Sequence, residues 1–599
     1  MVSQNEQPSA PRIRRLTPDN PFGRDDDSQF AAILATDPAL AYFITLPSCP
    51  AAAPLASAVS AAVLVNFTRV GTGSDLAIRA DIARSTQRVD GTGIRVGILS
   101  DSFNLRGGMA AGISRGDLPA NIQILRDGPA GGADEGRAMA ELVHKVAPGA
   151  QISFYSAFNG TGDFANGILA LARAGAGVIV DDVTYLNEPF FQDGGVISRA
   201  VQTVVAAGVD YFTSAGNQAS NFYEAAFSGV RTSLAGVTGN YYAQNFGTSA
   251  APRTTQSLTV ARGATVTLDL QWDQPFASIG SGKSAANSLG MVLYDSSNRV
   301  VATALRSLIG GDPVQLLQFT NRGAGTDFRL AIITNGGGTV PGLLKYIAYG
   351  QGTTINDPRA GIGSGTSIGH EMVDPANVVG AVNYAGTQRF GGVSQVEAFS
   401  SASAGRTLFD AAGNRLATPR MGAGVDYVAP DGSATSVFPQ FYGTSAAAPN
   451  AAAVAALMAQ ANPNLSPAQV SAILAQSAVS AGGTANTTGA GLIQADRALQ
   501  LARAASGQGD GAGAMASGTN SGTTGSGIAR AADYVSTQDL AAGISEAYAN
   551  TGDFIASLDL GDNDGWVLPQ EYAGSMALSA SAANVGIAEI NDSLWGIDM

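Results

Sequence analysis

A chain of 599 residues is long enough for several domains. Only 13 % of its residues are charged, 45 % are hydrophobic and 75 are glycine, which excludes a solvated, disordered chain and points to compact folds rich in tight turns. The net charge of −14 leaves no basic footprint for nucleic acid, and the single cysteine, Cys49, excludes an intrachain disulfide framework and a cysteine zinc cluster.

Residues 1–75 read as a leader or propeptide-like segment. The first 35 are rich in Pro, Asp, Asn, Arg and Ser and are expected to be mobile. The N-terminus is polar, with no basic region running into an apolar core, so no ordinary signal peptide is expected. An apolar stretch from Ala39 to Phe67 is broken by Pro47, Pro50 and Pro54. Its clean part, Leu55 to Phe67, is too short to span a bilayer and is expected to be a buried helix.

From Ser74 the pattern changes. Ser74 to Arg88 reads as a helix, Asp90-Gly91-Thr92-Gly93 as a turn, and Ile94 to Ser100 as an apolar strand. Similar apolar runs recur at Gln151–Tyr155, Gly177–Val180 and Val209–Thr213, with helical patterns at Glu135–Val146, Phe164–Ala174 and Val196–Ala207. This alternation predicts an α/β fold, a mostly parallel sheet with helices on both faces, beginning with residues 76–230. Over 231–349 the period becomes two. Val266, Leu268, Leu270 and Trp272 alternate with polar residues, as do Met291 and Leu293, then Phe328, Leu330 and Ile332. Short alternating strands without helices predict an inserted antiparallel β-sandwich. The α/β pattern resumes over 350–505, a Gly/Ser-rich linker follows at 506–528, and a small segment, 529–599, ends the chain. Within that segment Asp559 to Glu571 resembles a calcium loop, although Leu560 falls where the first ligand should be. A structural calcium there and a solvated acidic turn are both open readings.

The strongest chemical signal is Gly443-Thr444-Ser445-Ala446-Ala447-Ala448-Pro449. A serine that attacks a carbonyl must be exposed and fixed, and a glycine turn opening a helix supplies that position, with the helix N-terminus favouring negative charge. The following residues to Gln460 are apolar almost all round, so the helix is expected to be buried, with Pro449 in its first turn and Asn462-Pro463 stopping it. Gly-Thr-Ser alone is a weak signal. The whole string resembles the nucleophile motif of the subtilisin-like serine peptidases, the subtilases.

Further pieces match that family in order. Val96 to Asp101 resembles its first core strand with the triad aspartate, and Ser214-Ala215-Gly216-Asn217 the segment with the oxyanion asparagine. Phe399-Ser400-Ser401 and Val428-Ala429-Pro430-Asp431-Gly432 resemble two strings upstream of the serine. The resemblance implies a serine-type endopeptidase of subtilisin-like fold. It also implies protein or peptide substrates, no required cofactor or catalytic metal, and a secreted or cell-surface place in a bacterium.

The departure is at the base. Glu135, in Glu135-Gly136-Arg137, stands where the family carries histidine. His144 lies nine residues on, which at about 100° per residue is the opposite helix face, and His370 lies in a loop the family does not use for its base. Sedolisins, a sister group on the same fold, use Ser, Glu and Asp. Their aspartate lies four residues after the glutamate, where this chain has Met139, and they carry aspartate where it keeps Asn217. The expectation is therefore Ser445 as nucleophile, Glu135 as base, Asp101 orienting it or sharing its proton, and Asn217 with the Ser445 amide as oxyanion donors. Asp134 is expected to cap the Glu135 helix. Asp181 and Asp182 end an apolar strand, and either Asp182 is an auxiliary acid sharing a proton with Glu135 or the two hold backbone amides or a cation. The base is expected to titrate as part of a coupled group, with activity persisting below pH 5.5. The rival reading is a pseudopeptidase, a fold kept for binding. The intact Ser445, Asn217 and Asp101 favour the enzyme.

Overall fold

A computed structural model describes residues 73–506, apart from 337–338, 357–364, 403–404 and 423. The expected leader, the linker, the C-terminal segment and the acidic loop at Asp559–Glu571 lie outside the described residues. No described helix is long and apolar enough to cross a membrane.

The apolar runs form the central sheet. Its strands are β1 (Arg95–Ser100), β2 (Ile122–Arg126), β3 (Gln151–Ser156), β4 (Val178–Asp181), β5 (Asp210–Ser214), β6 (Asn377–Asn383) and β7 (Tyr427–Asp431). They lie in the order β2-β3-β1-β4-β5-β6-β7, every pairing parallel. Side chains alternate across a strand, so a sheet this apolar must be covered on both faces. Val96, Ile98, Val178, Val180 and Phe212 pack under the helices α1 (Glu135–Val146) and α4 (Thr444–Ala461). Leu99, Ile179 and Tyr211 pack under α2 (Thr161–Arg173) and α3 (Val196–Ala206). The fold is thus α/β, a parallel sheet with helices on both faces, as expected.

Helix α4 is buried from Thr444 to Ala459 and rich in alanine, which lets it lie close across β4 to β7. It ends at Asn462 as expected. Pro449 stands in its second turn, not its first. A proline there cannot donate to the carbonyl four residues back, so Ser445 C=O loses its helical partner.

The period-two segment forms two antiparallel sheets. One runs Val314–Thr320, Thr265–Trp272, Leu343–Tyr349, Phe222–Ala226. The other runs Val300–Ala304, Leu289–Asp295, Asp327–Thr334, Val237–Gln244, Gly229–Leu234, with Gln256–Val260 and Thr353–Ile355 alongside. The alternating residues Leu268, Leu270, Trp272, Met291, Leu293, Phe328, Leu330 and Ile332 share one core. Tyr223 and Ile355 join that core, so the sandwich reaches beyond 231–349 at both ends. None of these strands pairs with the central sheet. The sandwich sits on the loop after β4. Leu186, Phe190 and Phe191 pack with Phe222, Ile347 and Tyr349, and the Gln271 side chain accepts from Phe190 N at 2.8 Å and donates to Glu188 O at 2.9 Å.

Candidate active site

The parallel sheet gathers the functional residues at the carboxyl ends of β1, β4 and β5 and at the starts of α1 and α4. Gly443 precedes α4 with φ 115°, a conformation that favours glycine, and Ser445 stands in the first turn, buried to 5 % exposure. Three side chains hold this turn. The Asp431 carboxylate accepts from Gly443 N at 2.9 Å. Asn217 Oδ1 accepts from Thr444 N at 2.9 Å and from Thr444 Oγ1 at 2.8 Å. Thr444 Oγ1 in turn accepts from Gly216 N at 3.1 Å.

Two donors against Asn217 Oδ1 fix the amide orientation and turn Nδ2 the other way. Among the described residues Nδ2 has no acceptor. A Cβ built on Gly443 would lie 3.0 Å from Asn217 Nδ2 and 3.7 Å from Ser445 N. Two donors therefore border one small space beside Ser445, kept open by a glycine. Two such donors can hold an oxyanion.

Glu135 opens α1 and is buried. Its carboxyl lies beside the Ser445 hydroxyl and the Asp182 carboxyl. Burial, then the charges of Asp182 and Asp101, push its proton affinity well above the ordinary glutamate range, against the neighbouring Ser445 hydroxyl. Asp182 follows β4. Burial and the Asp101 charge push it well up too, with Asp181 adding to them against the neighbouring Ser100 and Glu135 side chains. Asp182 Oδ1 is buried with no donor among the described residues. A proton shared between the two carboxyls would satisfy that atom and remove one of two adjacent charges.

Asp101, fully buried after β1, meets the backbone rather than the Glu135 side chain. Its carboxylate accepts from Glu135 N at 2.8 Å, Gly136 N at 3.4 Å, and also from the amides of Ala133 and Ser102. It thereby caps α1 and fixes where Glu135 begins. Burial raises its pKa to about 6 despite these four amides.

Asp134 does not cap α1 as expected. Its backbone is left-handed, φ 62°, which turns its side chain away from the helix amides. Its carboxylate instead accepts from Leu105 N at 2.8 Å and Arg106 N at 3.1 Å and pairs with Arg137 at 2.9 Å. Asp181 faces away from Glu135. It accepts from Thr213 Oγ1 at 3.0 Å and Val183 N at 3.2 Å and lies against His370. Both ring nitrogens of His370 face carboxylates and the residue is fully buried, so it is closed to a proton from Ser445. Among the described residues no group of three or more His, Cys, Asp or Glu side chains is arranged to hold a metal ion.

Sequence reading gave the glycine turn before the helix but missed Thr444 and Asp431 as the supports of the serine turn. Both lie inside strings it quotes.

The model of the subtilase family matches residues 127–492. Alkaline elastase YaB from Bacillus sp. (strain YaB) is 32 % identical over 176 residues, 28 % of this chain and 46 % of that protein. Subtilisin Savinase from Lederbergia lenta is 30 % identical over 176 residues, 28 % of this chain and 64 % of that protein. The chain thus spans less than two thirds of the length of these curated relatives. The structure of the Clostridium perfringens CspB protease aligns over 72 % of this chain and 99 % of its own, at 13 % identity and a TM-score of 0.45.

Proposed function

The chain belongs to the subtilase family, and on that premise we propose that it is a serine-type endopeptidase with Ser445 as nucleophile and Glu135 as base. The observation that carries this reading is the placement of the Glu135 carboxyl beside the Ser445 hydroxyl, next to the Asn217 amide at the N-terminus of α4.

Ser445 Oγ attacks the peptide carbonyl carbon as its proton passes to Glu135. Glu135 can accept it because the proton it shares with Asp182 moves across to Asp182. The carbonyl oxygen becomes an oxyanion, held by Asn217 Nδ2 and Ser445 N–H. Glu135 then returns a proton to the leaving amine as the C–N bond breaks, and the acyl-enzyme remains. Water repeats the sequence in reverse and frees Ser445. Asp101 acts through the backbone, fixing the start of α1. Asp182 is the auxiliary acid, which sequence alone left beside amide or cation binding.

The substrates are proteins or peptides, the site of action is secreted or at the cell surface, and the inserted sandwich positions substrate or binds a surface. The sandwich belongs between two halves of one peptidase domain, 76–230 and 350–505.

Two expected results follow here. A fluorophosphonate probe should label the intact chain at Ser445, read by peptide mass spectrometry; a folded chain that takes up no label is a pseudopeptidase. Gly443→Ala should fold, with about 1–3 kcal/mol lost to left-handed strain. Its turnover should fall on the order of 100-fold, because the new methyl fills the oxyanion space. Thermal unfolding and steady-state kinetics check the two parts separately.

A further inference from the structure

Behind the Glu135–Asp182 pair lies a second buried charge cluster that the reaction as written does not use. His370 enters it from the short turn Gly369–Met372 that follows the insert, and it is fully buried. Its Nδ1 lies 2.6 Å from Glu188 Oε2 and its Nε2 lies 3.2 Å from Asp181 Oδ1. Glu188 also accepts the His370 backbone amide at 3.0 Å, and the Phe164 ring meets the imidazole edge-on, centroids 5.3 Å apart.

A neutral imidazole carries one N–H, yet here both ring nitrogens face carboxylate oxygens, and only the imidazolium donates to both. Burial by itself would strip the ring proton. The charges of Glu188 and Asp181 outweigh it and hold the ring protonated well above the ordinary histidine range.

The remaining titratable neighbours do not supply this charge. Glu371, the next residue, is pushed up to about 8 by burial and is tied to Thr184 and to Ile368 N. It is therefore mostly neutral at pH 7. Tyr211 lies beside Asp181, and burial with that charge holds its hydroxyl protonated. Lys345 reaches the cluster from the insert on the Glu371 side, and burial lowers its pKa to about 8.

Asp181 is the neighbour of Asp182 in the chain, and its charge is among those that push Asp182 up. Without a cation, four carboxyls would crowd this end of the sheet: Asp101, Glu135, Asp181 and Asp182. We propose that His370 is a positioning residue for the acid pair, its imidazolium neutralising Asp181 so that the negative charge the base needs stays on Glu135 and Asp182. The inference rests on the peptidase reading above.

The test compares the pH dependence of kcat/KM for the wild-type full chain and His370→Gln on one peptide substrate. Loss of the cation should move the acid limb up by about one pH unit, with the plateau changed only a few-fold. A merely structural role would lower the plateau and leave the limb in place, and that result overturns the proposal. The ring is also read directly. The chain has two histidines, so ¹⁵N-histidine labelling gives two sets of ring signals, assigned with His144→Gln. Both nitrogens of His370 should be protonated at pH 8, and a neutral ring at pH 7 overturns the proposal even if His370→Gln does not fold. A wild-type chain that neither hydrolyses peptide nor takes the phosphonate label defeats the peptidase reading instead, so the two failures are distinct.

Discussion

Glu135→Gln is expected to keep the fold and lose turnover on the order of 10⁴-fold. Glutamine matches glutamate in shape but cannot accept the serine proton. Its amide N–H can donate to Asp182 Oδ1, which has no donor among the described residues, so the buried contact survives. The variant also removes one of two facing carboxyls, and this has a stability signature. Glu135 has a raised pKa in the folded chain. Its contribution to stability is thus fully present below the unfolded value and is lost as pH rises through the folded one. Glu135→Gln should lose less stability than wild type as pH rises from the ordinary glutamate range, measured by denaturant unfolding at several pH values.

Ser445→Ala is expected to remove hydrolysis altogether, a loss on the order of 10⁶-fold. The hydroxyl is the group that forms the acyl-enzyme, and it is the serine hydroxyl beside Glu135. The change deletes one oxygen at the start of a helix whose amides are held by Asp431 and Asn217, so folding should be unaffected. Parallel assays of hydrolysis and thermal unfolding check this. Unchanged activity in Ser445→Ala would leave the serine mechanism without its nucleophile.

Much of the fold was legible because it is written in local patterns. Continuous apolar runs became the two-faced sheet, and the alternation through Val266, Leu268, Leu270 and Trp272 became one side of the sandwich core. The sandwich edges were less legible, since Tyr223 and Ile355 join its core by contact rather than by alternation. In the site, the serine turn and Asn217 could be read as strings. The division of labour among the carboxyls could not. Asp101 turning to backbone amides and Asp182 lying beside Glu135 depend on how the ends of β1 and β4 approach the start of α1, which no spacing encodes. Asp134 reads as a cap until its left-handed backbone is known. His370 meets Glu188 across 182 positions and an inserted domain, so no window along the chain contains the pair.

The same geometry revises the pH expectation. With Asp101 or Asp182 beside Glu135 and the group titrating together, the sequence reading expects activity to persist below pH 5.5. Burial together with two charged neighbours pushes Glu135 well up, and Asp182 is pushed up alongside it. Below the first dissociation of the pair both carboxyls hold protons and no base is available. The acid limb therefore belongs above the ordinary carboxylate range and to a coupled pair.

The most direct measurement is peptide turnover from pH 3 to 9 for wild type and Glu135→Gln. Wild type should rise through one acid limb to a plateau, and Glu135→Gln should stay near baseline throughout. Unimpaired turnover in Glu135→Gln, with a limb near the ordinary histidine value that disappears in His370→Gln, would contradict the account and make histidine the base.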